Sequence, residues 1–206
     1  MPVFEKNGKK ILYIHVPKTA GSSILQLFVS SGYTVSYFSD QSVDLFRDLC
    51  GPQHIHASLI LNEFTLSEFD YIFSVFRDPV ERLVSEYKWR CGISGKECKN
   101  FGYWVKKALR KYKKNPFIYD NHIRPQSEFY VEGCDVYDFN TIGSLPNYLA
   151  ENKGLDFKDI NLLIAVNRSS PGFSCKMDYF CRRRITGFYK SDYDWLHGSN
   201  LIDCER

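Results

Sequence analysis

Three groups of residues have the types and spacing to act on an anionic group. The first is Lys18-Thr19-Ala20-Gly21-Ser22-Ser23, which follows the apolar run Ile11–Val16 and precedes Ile24, Leu27 and Phe28 at helical spacing. Pro17 ends the strand pattern, because proline cannot donate to a sheet ladder. A strand, a tight loop and a helix start make an anion site: the first N–H groups of the helix lack intrahelical partners, and the helix dipole adds roughly +0.5 charge there. Lys18 adds a full charge, Thr19, Ser22 and Ser23 add hydroxyl donors, and Gly21 allows close approach of an oxyanion to the backbone. The second group is Arg77, at the end of the run Tyr71–Phe76, with Ser85 two turns into the helix that follows. A guanidinium there forks onto phosphate oxygens, and the hydroxyl adds one donor. The third is the set of five histidines, His15, His54, His56, His122 and His197. An imidazole is largely neutral near pH 7, so it suits a general base that must take a hydroxyl proton.

The elements that must position these groups follow from the pattern. Ile11–Val16, Tyr33–Phe38, Tyr71–Phe76, Val136–Phe139 and Leu162–Val166 read as strands, and Tyr71–Phe76 is continuously apolar, as buried parallel strands are. Helices are expected after Ser23, with Gly32 near its C-terminal cap, over Asp44–Cys50 and over Leu145–Glu151, and around Tyr179–Trp195. Another runs from the Asp78-Pro79 start past Tyr87. Lys88–Lys114 reads mostly as a basic amphipathic helix, and Asn121–Tyr130 as a polar loop. Strands alternating with helices predict an α/β fold with a mostly parallel central sheet flanked by helices. In such sheets ligands sit beyond the carboxyl ends of the strands, so Pro17, Lys18, Arg77 and Asn167 are expected on one rim.

The whole chain, 206 residues, reads as a single domain with a sizeable core, without repeats or a dividing linker. Its hydrophobic content of 44% excludes a disordered chain, and its net charge of +3 is too small to argue for nucleic-acid binding. No apolar run reaches the ~20 residues of a membrane span, and the charged first ten residues are not signal-like. Seven cysteines without a CxxC pair favour reduced thiols and a cytoplasmic location, with Cys91–Cys98 the pair that would form in an exported protein.

Lys18 precedes Gly21, so the loop is not the GxxxxGK[ST] of nucleoside-triphosphate enzymes. His15-Val16-Pro17-Lys18-Thr19-Ala20-Gly21-Ser22-Ser23 resembles the 5′-phosphosulfate loop of sulfotransferases that use 3′-phosphoadenosine 5′-phosphosulfate (PAPS), in particular the Golgi-type carbohydrate branch that includes heparan sulfate 2-O-sulfotransferase. Arg77-Asp78-Pro79-Val80-Glu81-Arg82-Leu83-Val84-Ser85-Glu86-Tyr87 resembles that family's 3′-phosphate motif, RDPxxRLxSxY. The resemblance covers about Ile11–Tyr130 and implies a P-loop-like sulfotransferase fold, with PAPS as co-substrate and no metal. It implies that Lys18 to Ser23 bind the 5′ end of the nucleotide, that Arg77 and Ser85 bind the 3′-phosphate, and that Lys18 is also catalytic.

His54-Ile55-His56-Ala57-Ser58 is similar to the HGHxS segment of the 2-O-sulfotransferases, where the second histidine is the base, which places that role on His56. The family glycine between the two is Ile55 here. His122 followed by Arg124-Pro125-Gln126 resembles the HxxPQ loop of the acceptor pocket and marks His122, Arg124 and Gln126 as acceptor contacts. The expected reaction is transfer of a sulfuryl group to a hydroxyl, of a saccharide in this branch. Two other readings compete with it. A P-loop kinase would need a GK[ST] loop and a carboxylate for Mg²⁺ at a strand end, and Asp78 looks like a helix cap instead. A non-catalytic polyanion- or glycan-binding protein would use Lys88–Lys114 but has no use for Lys18 beside two helix-start hydroxyls.

Overall fold

Val3–Lys6 (β1) and Lys9–Ile14 (β2) form an antiparallel hairpin. Its turn is Asn7-Gly8, at φ 53° and 78°, the left-handed pair that matches the twist of a two-residue hairpin. The computed structural model describes residues 1–38, 49–94, 100–158, 175–199 and 201–205. Among them β2 pairs in parallel with Tyr71–Phe76 (β4), and β4 in parallel with Asp135–Asp138 (β5), while Thr34–Ser36 (β3) lies antiparallel on β1. The sheet order is β3-β1-β2-β4-β5. The α/β architecture with a parallel sheet core flanked by helices is therefore as expected, and β1 and β3 extend it antiparallel.

Side chains of β2 and β4 alternate between the two faces of the sheet. Ile11, Tyr13, Phe73 and Val75 pack with Gly21–Ser30 (α1) and Leu145–Lys153 (α5) on one face; Leu12, Ile14 and Ile72 pack with Ile60 of Ala57–Glu63 (α2) on the other. Both faces being covered, Ile11–Ile14 of β2 and most of β4 are apolar runs rather than alternating. A third cluster joins Pro79–Ser94 (α3), Phe101–Tyr112 (α4) and Tyr179–Phe188 (α6) through Val80, Leu83, Phe101, Val105 and Ile185. The last helix, Lys190–Gly198 (α7), follows α6 directly.

Some expectations need correction. β1 lies in a stretch read only as charged: its four residues, Val3-Phe4-Glu5-Lys6, do not alternate, but the Asn-Gly turn was a legible hairpin signal. The segment Lys88–Lys114 is the end of α3 and a separate α4, whose N-terminus Asn100 caps by accepting from Tyr103 N–H. Asn121–Tyr130 is a loop with one 3-10 turn, Gln126–Glu128, and its residues Asn121, Ile123, Gln126 and Phe129 are buried. Cys91 is disulfide-bonded, against the expectation of reduced thiols, whereas Cys50, Cys134, Cys175, Cys181 and Cys204 are free. An odd count without CxxC argues against dithiol and zinc motifs but does not forbid one bridge. No described helix is long and apolar enough to cross a membrane. Residues 44–48 of the helix expected over 44–50, the strand over 162–166, Asn167 and Cys98 lie outside the described residues.

Candidate active site

Because β2 and β4 run parallel, their carboxyl ends open on the same rim, and a cleft of about 490 Å³ lies there. After β2 the chain turns through Lys18 and Ala20, both left-handed at φ 70° and 69°, and enters α1 at Gly21. Left-handed non-glycine residues cost on the order of 1 kcal/mol or more each, and such strain concentrates at functional sites. No side chain caps α1; Ser23 N–H donates to Ala20 O at 3.0 Å, and the N–H groups of Gly21 and Ser22 are left for a ligand or water. Ala20, Gly21, Ser22 and Ser23 line the cleft with Lys18. Thr19 does not: it is fully buried, and its hydroxyl donates to Val16 O at 2.8 Å to close the turn.

Gly21 has a reason the sequence does not suggest. A Cβ there would fall 1.7 Å from Nε2 of His15, so the glycine makes room for a buried imidazole. Burial pushes the His15 pKa well below its ordinary value, aided by His54, and the ring is neutral.

Lys18 is half-buried, with Nζ 4.8 Å from the centre of the Trp89 ring. Burial lowers its pKa, with Arg77 and Arg90 acting in the same direction and Glu86 opposing them. Arg77 follows β4 and reaches back, its Nη1 donating to Lys18 O at 3.3 Å and its guanidinium lying 4.1 Å from the Phe139 ring centre. Asp78 caps α3 by accepting from Val80 and Glu81 N–H at 2.9 and 3.0 Å, as its sequence context predicts. One turn apart on α3, Ser85 and Trp89 then face the cleft.

Three imidazoles line the same cleft: His15, His54 and His122. Their rings follow one another, with centroids 4.8 Å apart for His15–His54 and 4.9 Å for His54–His122. Each of the last two is held by a carboxylate. His54 Nδ1 lies 2.6 Å from Asp120 Oδ2, and His122 Nδ1 lies 2.6 Å from Glu86 Oε2. Glu86 is fully buried and also accepts from Arg90 Nε. Burial alone would raise the Glu86 pKa, but His122, Arg90 and Lys18 together hold it below the ordinary value. Burial likewise works against Asp120, yet the bonds from His54 and Gly51 N–H bring it down to about 2.

The loop that carries His122 is braced from below. Arg82, only 1% exposed, donates from Nη1 to His122 O at 3.4 Å and from Nη2 to Arg124 O at 2.6 Å. His54, Asp120 and His122 also form the group among the described residues whose potential metal-ligand atoms all lie within 4.8 Å of one another. A cation could be held there only in competition with the imidazole–carboxylate pairing already made.

The expected residues divide. Lys18, Ala20, Gly21, Ser22, Ser23, Arg77, Ser85 and His122 come together at the cleft. His56 does not line it: Nε2 pairs with Ser58 Oγ at 2.9 Å, the ring packs edge-on to Phe117, and burial with Arg124 nearby lowers its pKa to about 4. Arg124 and Gln126 do not line it either, so acceptor contact does not fit their placement. Arg124 Nε donates to Asn121 Oδ1 at 3.0 Å and its Nη1 pairs with Glu128; Gln126 is bound to the backbone of Arg77. Both are buried because they hold the loop rather than line the cavity. Asp120, Glu86 and Trp89 are the side chains missed by the sequence reading. Glu86 and Trp89 stand in helical register with Ser85 and Arg90, which was the available signal; Asp120 had none.

The model of the Sulfotransferase family matches residues 2–197. The chain belongs to the sulfotransferase family. No curated protein and no solved structure matches it. A sulfotransferase needs donors for a charged leaving group and a proton acceptor for the incoming hydroxyl. In the cleft of this sulfotransferase Lys18, Arg77 and the start of α1 lie near three imidazoles, two of them held by carboxylates.

Proposed function

We propose that this sulfotransferase moves the sulfuryl group of PAPS to a hydroxyl, that of a saccharide as in the carbohydrate branch its loops resemble. The observation that carries the reading is that Lys18, the uncapped start of α1, Arg77 and Ser85 line a single cleft together with three imidazoles. Lys18 and the α1 N–H groups would hold the 5′-phosphosulfate end, and Arg77 with Ser85 the 3′-phosphate. The donor set fits an anion with two phosphate-sized charges, because Lys18, Arg77 and the uncapped start of α1 face the cavity, and the carboxylate that lines it, Asp120, is paired with His54. When bound, PAPS supplies a sulfur already attached to a good leaving group.

The chain's own groups do the rest. A histidine takes the proton of the acceptor hydroxyl as its oxygen bonds to sulfur. The bond between sulfur and the phosphate oxygen breaks, and Lys18 with the α1 N–H groups stabilises the charge left on that oxygen. Lysine and backbone donors can do here what Mg²⁺ does in phosphoryl transfer. Glu86 opposes the burial and the neighbouring Arg77 and Arg90 charges that lower the Lys18 pKa.

Calorimetric titration of the wild-type protein with adenosine 3′,5′-bisphosphate and, separately, with ATP–Mg²⁺ tests the reading. Saturable binding of the bisphosphate with clear preference over ATP–Mg²⁺ supports it. Preference for ATP–Mg²⁺, or no bisphosphate binding, overturns it.

A further inference from the structure

We propose that the proton acceptor of this reaction is His54, with Asp120 as its positioning residue, and not His56, the second histidine of the His54-Ile55-His56 segment. The inference rests on the sulfuryl-transfer reading and sharpens it to two residues.

His54 lines the cleft beside the Lys18 loop, whereas His56, two residues on, points elsewhere and spends Nε2 on Ser58. The chain between them explains the divergence. A 3-10 turn, Pro52–His54, ends at His54, and the extended Ile55 and His56 then lead into α2, with Ile55 fully buried under the sheet. In a regular strand residues two apart share a face. Here His54 closes the 3-10 turn, and Ile55, at φ −67° and ψ 146°, has polyproline-like backbone with three residues per turn, which rotates His56 away from His54. Of the two, His54 lines the cleft.

The surroundings of His54 are built to hold an imidazole in one orientation. Tyr119, Asp120 and Asn121 are three consecutive left-handed residues, at φ 56°, 58° and 62°. None is glycine, so the run stores backbone strain, and what the strain achieves is visible. It aims the Asp120 carboxylate at His54 Nδ1 (2.6 Å) and Gly51 N–H (2.5 Å), and the Asn121 Nδ2 at His54 O (2.8 Å). Arg124 Nε fixes Asn121 in turn, at 3.0 Å. With Nδ1–H donated to the carboxylate, the imidazole keeps its proton on Nδ1 and the lone pair on Nε2, the atom left to accept a proton.

The other cleft histidines fit the role less well. Nε2 of His15 is packed on the Cα of Gly21. His122 shares its carboxylate with Arg90 and stacks on Trp89, the ring that Lys18 covers, so it belongs to the cationic side where charge on the leaving group is stabilised. The titratable and charged groups facing His54 are Asp120, His122, His15 and the Met1 amino group. Burial lowers the His54 pKa and Asp120 pulls it back up, leaving the ring neutral at pH 7.

The test uses the full chain with PAPS alone, water serving as the acceptor hydroxyl, and follows release of sulfate in single turnovers. Affinity for adenosine 3′,5′-bisphosphate and a thermal melt are measured for each variant. His54→Asn keeps a donor toward Asp120 but has no base, so its rate should fall by roughly 10²–10⁴, with bisphosphate affinity within about threefold. His56→Ala should stay within a few-fold of wild type if it melts normally; Ser58→Ala, which breaks only the side-chain contact of His56, covers the case in which it does not. Asp120→Asn removes the charge that raises the His54 pKa, so the acid limb of the rate profile should move to lower pH as the plateau drops. A merely structural Asp120 would leave that limb in place. A folded His54→Asn protein with near wild-type rate, or a large loss confined to His56 or His122 variants, overturns the assignment. In those cases bisphosphate binding by wild type keeps the sulfotransfer reading standing, and its absence removes that reading instead.

Discussion

Gln126 grips the backbone of Arg77 from both sides: its Oε1 accepts from Arg77 N–H at 3.1 Å, and its Nε2 donates to Arg77 O at 2.7 Å. A fully buried carboxamide thus takes the place of a neighbouring strand at the point where β4 ends. Only a side chain with one donor and one acceptor can do this. Gln126→Glu should therefore put an oxygen against the Arg77 carbonyl and cost about 1–3 kcal/mol of stability. Urea unfolding measures it, and an unchanged midpoint would show that the pairing carries no load.

Gly21 and His15 form a second such pair, since a methyl at position 21 would overlap the imidazole. Gly21→Ala should lower the melting temperature and weaken bisphosphate binding by displacing the start of α1. The double variant His15→Ala, Gly21→Ala should recover much of the lost melting temperature. If the single variant melts like wild type, the ring moves aside freely and the glycine has another purpose.

The two cations of the cleft should separate by what they bind. Loss of a charge-assisted contact costs about 1.5–3 kcal/mol. Arg77→Ala should lose that much against adenosine 3′,5′-bisphosphate but little against a nucleotide with no 3′-phosphate. Lys18→Ala should weaken both nucleotides to a similar degree and nearly abolish turnover of PAPS. Equal losses for both nucleotides in Arg77→Ala would place Arg77 elsewhere than the 3′-phosphate.

Acid should destabilise the protein earlier than its carboxylates require. His15 and His54 have pKa values below the ordinary 6.5 in the folded state, and His56 lies at about 4. The unfolded chain then binds more protons between pH 6.5 and those lowered values, so stability is full above 6.5 and falls as pH drops through that window. Asp120, held at about 2, adds its loss only below its ordinary 3.8. Melting temperatures from pH 7 to 4 should decline, and His15→Asn should flatten the decline. A wild-type curve level down to pH 4 would mean that these rings accept protons without cost.

Much of this was written in local sequence. The Lys18–Ser23 loop and the Arg77–Tyr87 element are each a strand end, a turn and a helix start within about a dozen residues, and strand propensity, proline and capping chemistry decide such pieces locally. Parallel pairing of β2 and β4 then brings them to one rim without further instruction. The histidine and loop contacts were not legible in the same way. Whether His54 or His56 reaches the rim depends on the 3-10 turn that ends at His54 and on the polyproline-like backbone of Ile55, seated under the sheet, which a five-residue window cannot reveal. Asp120 meets His54 across 66 positions, and only because three residues accept left-handed backbone. Arg124 and Gln126 look like solvent-facing polar residues of a loop, yet tertiary packing buries them, and buried polar groups must find partners. Those partners were the Asn121 side chain and the Arg77 backbone, so the fold uses both residues to hold the site in place.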